Sequence, residues 1–258
     1  MPSDVASLVV TGEPYPVIEL TGSLDAVSAP GVSSAILDVL ADQPEAVVVD
    51  VADLGADAEA VEVLRDVAAA TADWPAAHLV LATPGDAKQW QSAGLPVWPS
   101  RDEAFAALGA PDPGHRLRLD LEPVIGAARR SRELVTEACL RWDCPDLAGP
   151  ACIVLTEMVN NVVAHARTPM TVLLGRRGDD LSVAVRDHSA TIPRFTGPVA
   201  PTSYGGRGLL LIDSVASRWG NLKLDDGKVV WALLADDFPE PAAHDHTHSA
   251  GMADPARG

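Results

Sequence analysis

Basic residues are scarce in this chain: 19 Lys and Arg stand against 36 Asp and Glu over 258 residues, a formal net charge of −17. An acidic surface repels phosphate backbones, so nucleic acid is excluded as the expected partner, while proteins and nucleotides remain. The shortage is sharpest in residues 1 to 110, where 3 Lys and Arg face 17 Asp and Glu. That asymmetry predicts two units with different tasks, and the length suits two cores of about 100–150 residues each. Cysteine is rare as well. Cys139, Cys144 and Cys152 leave an odd thiol at a spacing that fits no zinc site, which predicts core thiols in a reducing compartment. Long apolar runs are missing too: none reaches the roughly 18 residues of a spanning helix. Met1-Pro2-Ser3-Asp4 lacks the basic start of a secretory signal, so a cytoplasmic protein with no membrane contact is expected.

Breakers supply the punctuation. In Gly109-Ala110-Pro111-Asp112-Pro113-Gly114, Pro111 and Pro113 forbid a helix continuing from Phe105-Ala106-Ala107-Leu108. A second boundary follows Trp231-Ala232-Leu233-Leu234, where Phe238-Pro239-Glu240-Pro241 opens a small and polar stretch. The expected division is residues 1 to 110, 115 to 237, and a disordered tail over 238 to 258. His244, His246 and His248 alternate in the tail, a pattern open to a transition metal. A solvated tail is the better reading, because no rigid partners would fix such ligands.

In the first unit, strand-like runs at Ser7 to Val10, Val17 to Leu20, Ala46 to Val51 and His78 to Ala82 alternate with helical runs. Those helical runs lie around Pro30 to Leu40, Ala60 to Ala70 and Arg101 to Leu108, and the alternation argues an α/β layer. Glu19-Leu20-Thr21-Gly22-Ser23-Leu24-Asp25, the Val47 to Asp50 strand and Pro99-Ser100-Arg101-Asp102-Glu103-Ala104 give it a resemblance to the STAS domains of anti-sigma factor antagonists. That resemblance implies a phosphorylated Ser or Thr between the central strand and the next helix. No Ser or Thr occurs from Ala35 to Ala70, and Asp57 and Glu59 stand there with fixed charge instead. A degenerate STAS-like unit, docking or autoregulatory in role, is the expectation.

The second unit carries the chemistry. In Leu155-Thr156-Glu157-Met158-Val159-Asn160-Asn161-Val162-Val163-Ala164-His165-Ala166, helical spacing puts Leu155, Met158, Val159, Val162, Val163 and Ala166 on one arc. Glu157, Asn161 and His165 fall nearly opposite, with no basic partner. Asn161 offers a carbonyl oxygen of the kind Mg²⁺ accepts, and Glu157 a carboxylate able to take a proton from a hydroxyl. Asn160 and Asn161 capping a neighbouring loop would explain the same pair. In Leu181-Ser182-Val183-Ala184-Val185-Arg186-Asp187, alternation places Asp187 at the end of an apolar row, where a carboxylate needs a donor. Adenine's exocyclic amine would serve; an Asx-turn through Asp187-His188-Ser189 is the alternative. Gly205-Gly206-Arg207-Gly208 before Leu209-Leu210-Leu211-Ile212 suits either a phosphate loop or a plain turn.

In order and spacing these segments, with Ser217-Arg218-Trp219-Gly220 and Gly227-Lys228-Val229-Val230-Trp231, resemble the GHKL ATPases over about Leu117 to Leu234. The likeness is nearest to the anti-sigma serine kinase branch. It implies an α/β (α+β) two-domain chain: a STAS-like β/α layer, then a Bergerat-fold α/β sandwich. It implies Glu157 as catalytic base, Asn161 on Mg²⁺, and ATP held by Asn160, Asn161, His165, Asp187, Gly205, Gly206, Arg207, Gly208 and Leu209. The activity implied is serine/threonine protein kinase, with a STAS-type antagonist as substrate; a sigma-factor partner and a homodimer stay open. The loop His188-Ser189-Ala190-Thr191-Ile192-Pro193 departs from the family in lacking glycine after Asp187, which favours a rival reading: a non-catalytic nucleotide-binding module that sequesters a partner. A two-component histidine kinase is set aside, since His115, the nearest acceptor, sits in the Pro/Gly linker.

Overall fold

The computed structural model describes residues 5–11, 14–55, 57–72, 74, 77–191 and 207–235. The tail at 238–258 with its three histidines, and the glycines at 205 and 206, lie outside the described residues.

The first sheet runs β1 (Ala6–Val10), β2 (Val17–Gly22), β3 (Ala46–Leu54), β4 (His78–Ala82) and β5 (Val97–Trp98) in that order. Only the β1–β2 pairing is antiparallel. Val47, Val48 and Val49 are fully buried because this sheet is covered on both faces. Helices α1 (Ala29–Ala41) and α2 (Ala58–Ala70) pack Ile36, Leu40, Leu64 and Val67 against Val47 and Val49. Helix α3 (Arg101–Leu108) sets Ala104 against Val17, Val48 and Val80 on the opposite face. The expected strands and helices are borne out to within a few residues; β5 escaped because two residues between Pro96 and Pro99 show no period.

Local chemistry explains the helix starts. Ser100 caps α3 by accepting from Glu103 N–H at 3.2 Å, and Asp57 caps α2 by accepting from Ala60 N–H at 2.9 Å. Just inside α3, the Arg101 guanidinium reaches Glu19 at 2.7 Å and also bonds Asp50. One side chain thus ties together the three segments that carried the resemblance in this unit.

The second sheet has the order β6 (Arg116–Leu121), β7 (Met170–Arg177), β8 (Asp180–Asp187), β10 (Lys228–Leu234), β9 (Arg218–Lys223), antiparallel throughout. Helices α4 (Ala127–Arg141), α5 (Pro145–Asn161) and α6 (Arg207–Val215) lie on one face, where Val135, Leu155 and Ile212 join Val183, Val185 and Ala232 in one core. The mixed α/β class with two sheets is as expected. Cys139, Cys144 and Cys152 are free, the first two buried, and burial together with the neighbouring Cys144 pushes the Cys139 thiol up to about 12.

The other face of this sheet, made by Leu173, Ala184, Leu222, Val229 and Trp231, is covered by Ala41 and Trp74 of the first unit. Arg118 pairs with Asp42 at 3.1 Å and Ser34 Oγ donates to Asp225 at 2.6 Å along the same seam. Strand β10 is therefore buried at all seven positions.

From Pro145 to Ala166 the chain forms 22 helical residues of mean hydropathy 1.4, enough by length and composition to cross a membrane. Its apolar side, including Leu147, Val154, Leu155 and Met158, packs instead on the sheet.

Candidate functional site

Past Asn161 the helix does not continue as α. Val162–Ala166 forms a π turn, ended by Arg167 in the left-handed region at φ 57°. Such wide turns are rare and are found frequently at functional sites. Here Val162, His165 and Ala166 line a cavity of about 420 Å³ between this turn, β8, β10 and the start of α6. Met158, Val185, Leu209 and Val230 give it apolar walls, and Asn161, Asp187, Ser189, Thr191 and Lys228 give it polar atoms. An apolar pocket with a few convergent polar groups is the usual form of a small-molecule site. A second cavity, about 410 Å³, lies in the seam between the units among already paired groups such as Arg118–Asp42 and His115–Asp112.

The structure brings together Asn161, His165, Asp187, Gly208 and Leu209 as lining residues. Asn160 is exposed and lies outside the lining. Arg207 opens α6, with its side chain outside the described residues. Glu157, half-buried one turn before Asn161, sits against the start of α6: a Cβ on Gly208 would come within 2.6 Å of Glu157 Oε2. A side chain at 208 would push that carboxylate away from the helix start.

Asp187 closes the row of Leu181, Val183 and Val185 and is 1% exposed. Of the two readings of this residue, the Asx-turn is present. Its Oδ1 accepts from Ser189 N–H at 2.8 Å, an Asx-turn, while the residue still faces the cavity. The donor that offsets its lost hydration differs from the expected adenine amine: Lys228 Nζ lies 2.8 Å from Oδ1 and also donates to Ser189 O at 3.2 Å. Lys228 stands directly across from Asp187 in the β8–β10 register, so the two side chains share a face with Val185 and Val230. Glycine at 227 permits this, since a Cβ there would fall 2.0 Å from Asp187 O. Sequence reasoning missed Lys228 as a site residue. Lys228 shares one side of the strand with Val230, Ala232 and Leu234, but Val229 to Leu234 is apolar at every position, so alternation alone does not mark that side.

Residues 122–233 match the family described as histidine kinase-like ATPase domain. The ATPase resemblance read from the sequence is borne out over that span. No curated protein matches the chain. Among solved structures it is similar to an anti-sigma factor antagonist from Mycobacterium paratuberculosis, with 25% identity, 42% of this chain and 97% of that chain covered, and a TM-score of 0.34. It is also similar to the RsbU and RsbW domains of Rv1364c from Mycobacterium tuberculosis, with 18% identity, 49% of this chain covered and a TM-score of 0.36. The match spans 32% of the length of that second protein.

Proposed function

We propose that the chain is a cytoplasmic, ATP-dependent regulatory kinase of the anti-sigma type, which phosphorylates a Ser or Thr of a separate STAS-type antagonist. The observation that carries this reading is the convergence of Asn161, Asp187 and Gly208 on one cavity, with Glu157 Oε2 against Gly208. The unit over residues 115 to 237 would do the chemistry. Asp187 would accept from the adenine amine, and the apolar walls would take the ring.

Mg²⁺ fits the donor set through the Asn161 carbonyl oxygen, because this ion keeps waters and phosphate oxygens and needs few protein ligands. When bound it would neutralise phosphate charge during transfer. Glu157 would orient the substrate hydroxyl and take its proton. The hydroxyl oxygen forms a bond to the γ-phosphorus as the bond from that phosphorus to the departing ADP oxygen breaks.

The first unit, resting on the far face of the sheet, would act as a docking or autoregulatory element held at high effective concentration. A sigma factor as second partner and a homodimer belong to the same reading. The rival, a nucleotide-binding module that only sequesters its partner, draws support from the Lys228 ammonium already bonded to Asp187. Incubation of the full chain with γ-labelled ATP and STAS proteins of its host separates the two. Label on the antagonist supports the kinase; ATP bound without transfer supports the module.

A further inference from the structure

Lys228 is 5% exposed, yet it lines the cavity. A buried ammonium is costly unless its donors are used. It has three N–H bonds to give. Two go to Asp187 Oδ1 and Ser189 O, and among the described residues no acceptor takes the third. Asp187 is the mirror case. Oδ1 accepts from both Lys228 and Ser189 N–H, and among the described residues no donor reaches Oδ2. The pair therefore presents an unspent donor beside an unspent acceptor, at the end of a slot walled by Met158, Val185, Leu209 and Val230.

Resting on the nucleotide reading above, we infer that Lys228 is a base-reading residue, donating to ring N1 of adenine while Asp187 Oδ2 accepts from the 6-amino group. The 6-amino group and N1 are adjacent on the adenine ring, one a donor and the other an acceptor, which is the complement of the exposed Asp187–Lys228 pattern. A carboxylate alone recognises only the amine. The ammonium adds a reader for the neighbouring ring nitrogen, and the apolar slot strengthens both bonds by excluding water.

The test is calorimetry on the full chain with Mg-ATP and with Mg-1-deaza-ATP, in which N1 is replaced by C–H and the amine is kept. The parent should bind the deaza nucleotide about tenfold or more weakly, the range for a lost hydrogen bond to a charged donor. Lys228→Met should bind the two nucleotides equally, and Lys228→Gln, which keeps a neutral donor, should retain part of the discrimination. A parent that binds ATP and its deaza analogue equally would overturn the assignment while leaving the ATP site intact. So would tighter ATP binding by Lys228→Met, which would make Lys228 a plug rather than a reader. A parent that binds neither nucleotide would overturn the ATP reading and this one with it. Should Lys228→Met fail to fold, the comparison of nucleotides on the parent decides by itself.

Discussion

Trp74 and Trp231 meet edge to face across the seam between the two units, with ring centroids 6.1 Å apart and planes at 79°. Trp231 occupies the back of the strand whose front carries Lys228 and Val230, so the first unit buttresses the strand that builds the cavity. Trp74 Nε1 is buried and has no partner among the described residues. Trp74→Ala should then cost about 3 kcal/mol or more, as large aromatic truncations in cores do. Trp74→Phe should cost far less, because it removes an unsatisfied donor along with part of the ring. Thermal melts of the three proteins check this; equal melting of Trp74→Ala and the parent would show a seam that adds no stability.

Removal of residues 1 to 110 uncovers Leu173, Leu222, Val229 and Trp231 together. An apolar patch of that kind drives association. The truncated protein should self-associate and bind a hydrophobic dye, as read by light scattering and fluorescence. A monomeric, dye-silent fragment would show that the sheet tolerates an open face.

At the site, Glu157→Gln should leave ATP affinity nearly unchanged and lower phosphotransfer by about a hundredfold or more, the usual contribution of a positioned base. Asn161→Ala should damage both binding and transfer. Titration calorimetry beside single-turnover transfer separates the two effects, and equal transfer by Glu157→Gln and the parent would remove Glu157 from the base role.

In the first unit the α2 N-cap is Asp57 rather than a hydroxyl residue. Intact protein incubated with ATP should carry no stoichiometric phosphate on any Ser or Thr of residues 1 to 110, which mass spectrometry reads directly. Asp57→Ala should cost about 1 kcal/mol through loss of the cap.

Cys139 supplies a pH signature. Its folded-state value, pushed up to about 12 from an ordinary 9.0, means the native state holds this proton more tightly than the unfolded chain. The resulting stability is fully present below pH 9 and is lost as pH rises toward 12. Denaturation midpoints of the parent should fall through that window. Cys139→Ala should flatten the fall, after allowance for its lower stability throughout, and a parallel pH dependence in both proteins would contradict the assignment.

What could be read in the sequence followed from local period and chemistry. Asp187 announced itself by ending an alternating row. Lys228 did not, because its partner lies 41 residues away and only the register of β8 with β10 joins them. The π turn was equally hidden: spacing at 100° per residue assumes an α-helix through Ala166, and nothing in Val162-Val163-Ala164-His165-Ala166 signals a wider turn. The seam had a visible trace that went unused, since Val229-Val230-Trp231-Ala232-Leu233-Leu234 is apolar at every position. Alternation marks one buried face; an unbroken apolar strand marks two.

Strand order sets a sequence of events for a chain emerging from the ribosome. Every described strand and helix of the first unit lies before residue 109, whereas β10, the strand that joins β8 to β9, is the last described element of the chain. Domains fold as units during synthesis, N-terminal first. The surface bearing Ala41 and Trp74 is thus complete while the sheet it will cover still lacks an inner strand, and β9 has no pairing partner until β10 inserts. The first unit can serve the second as a template for assembly before it serves it as a cover.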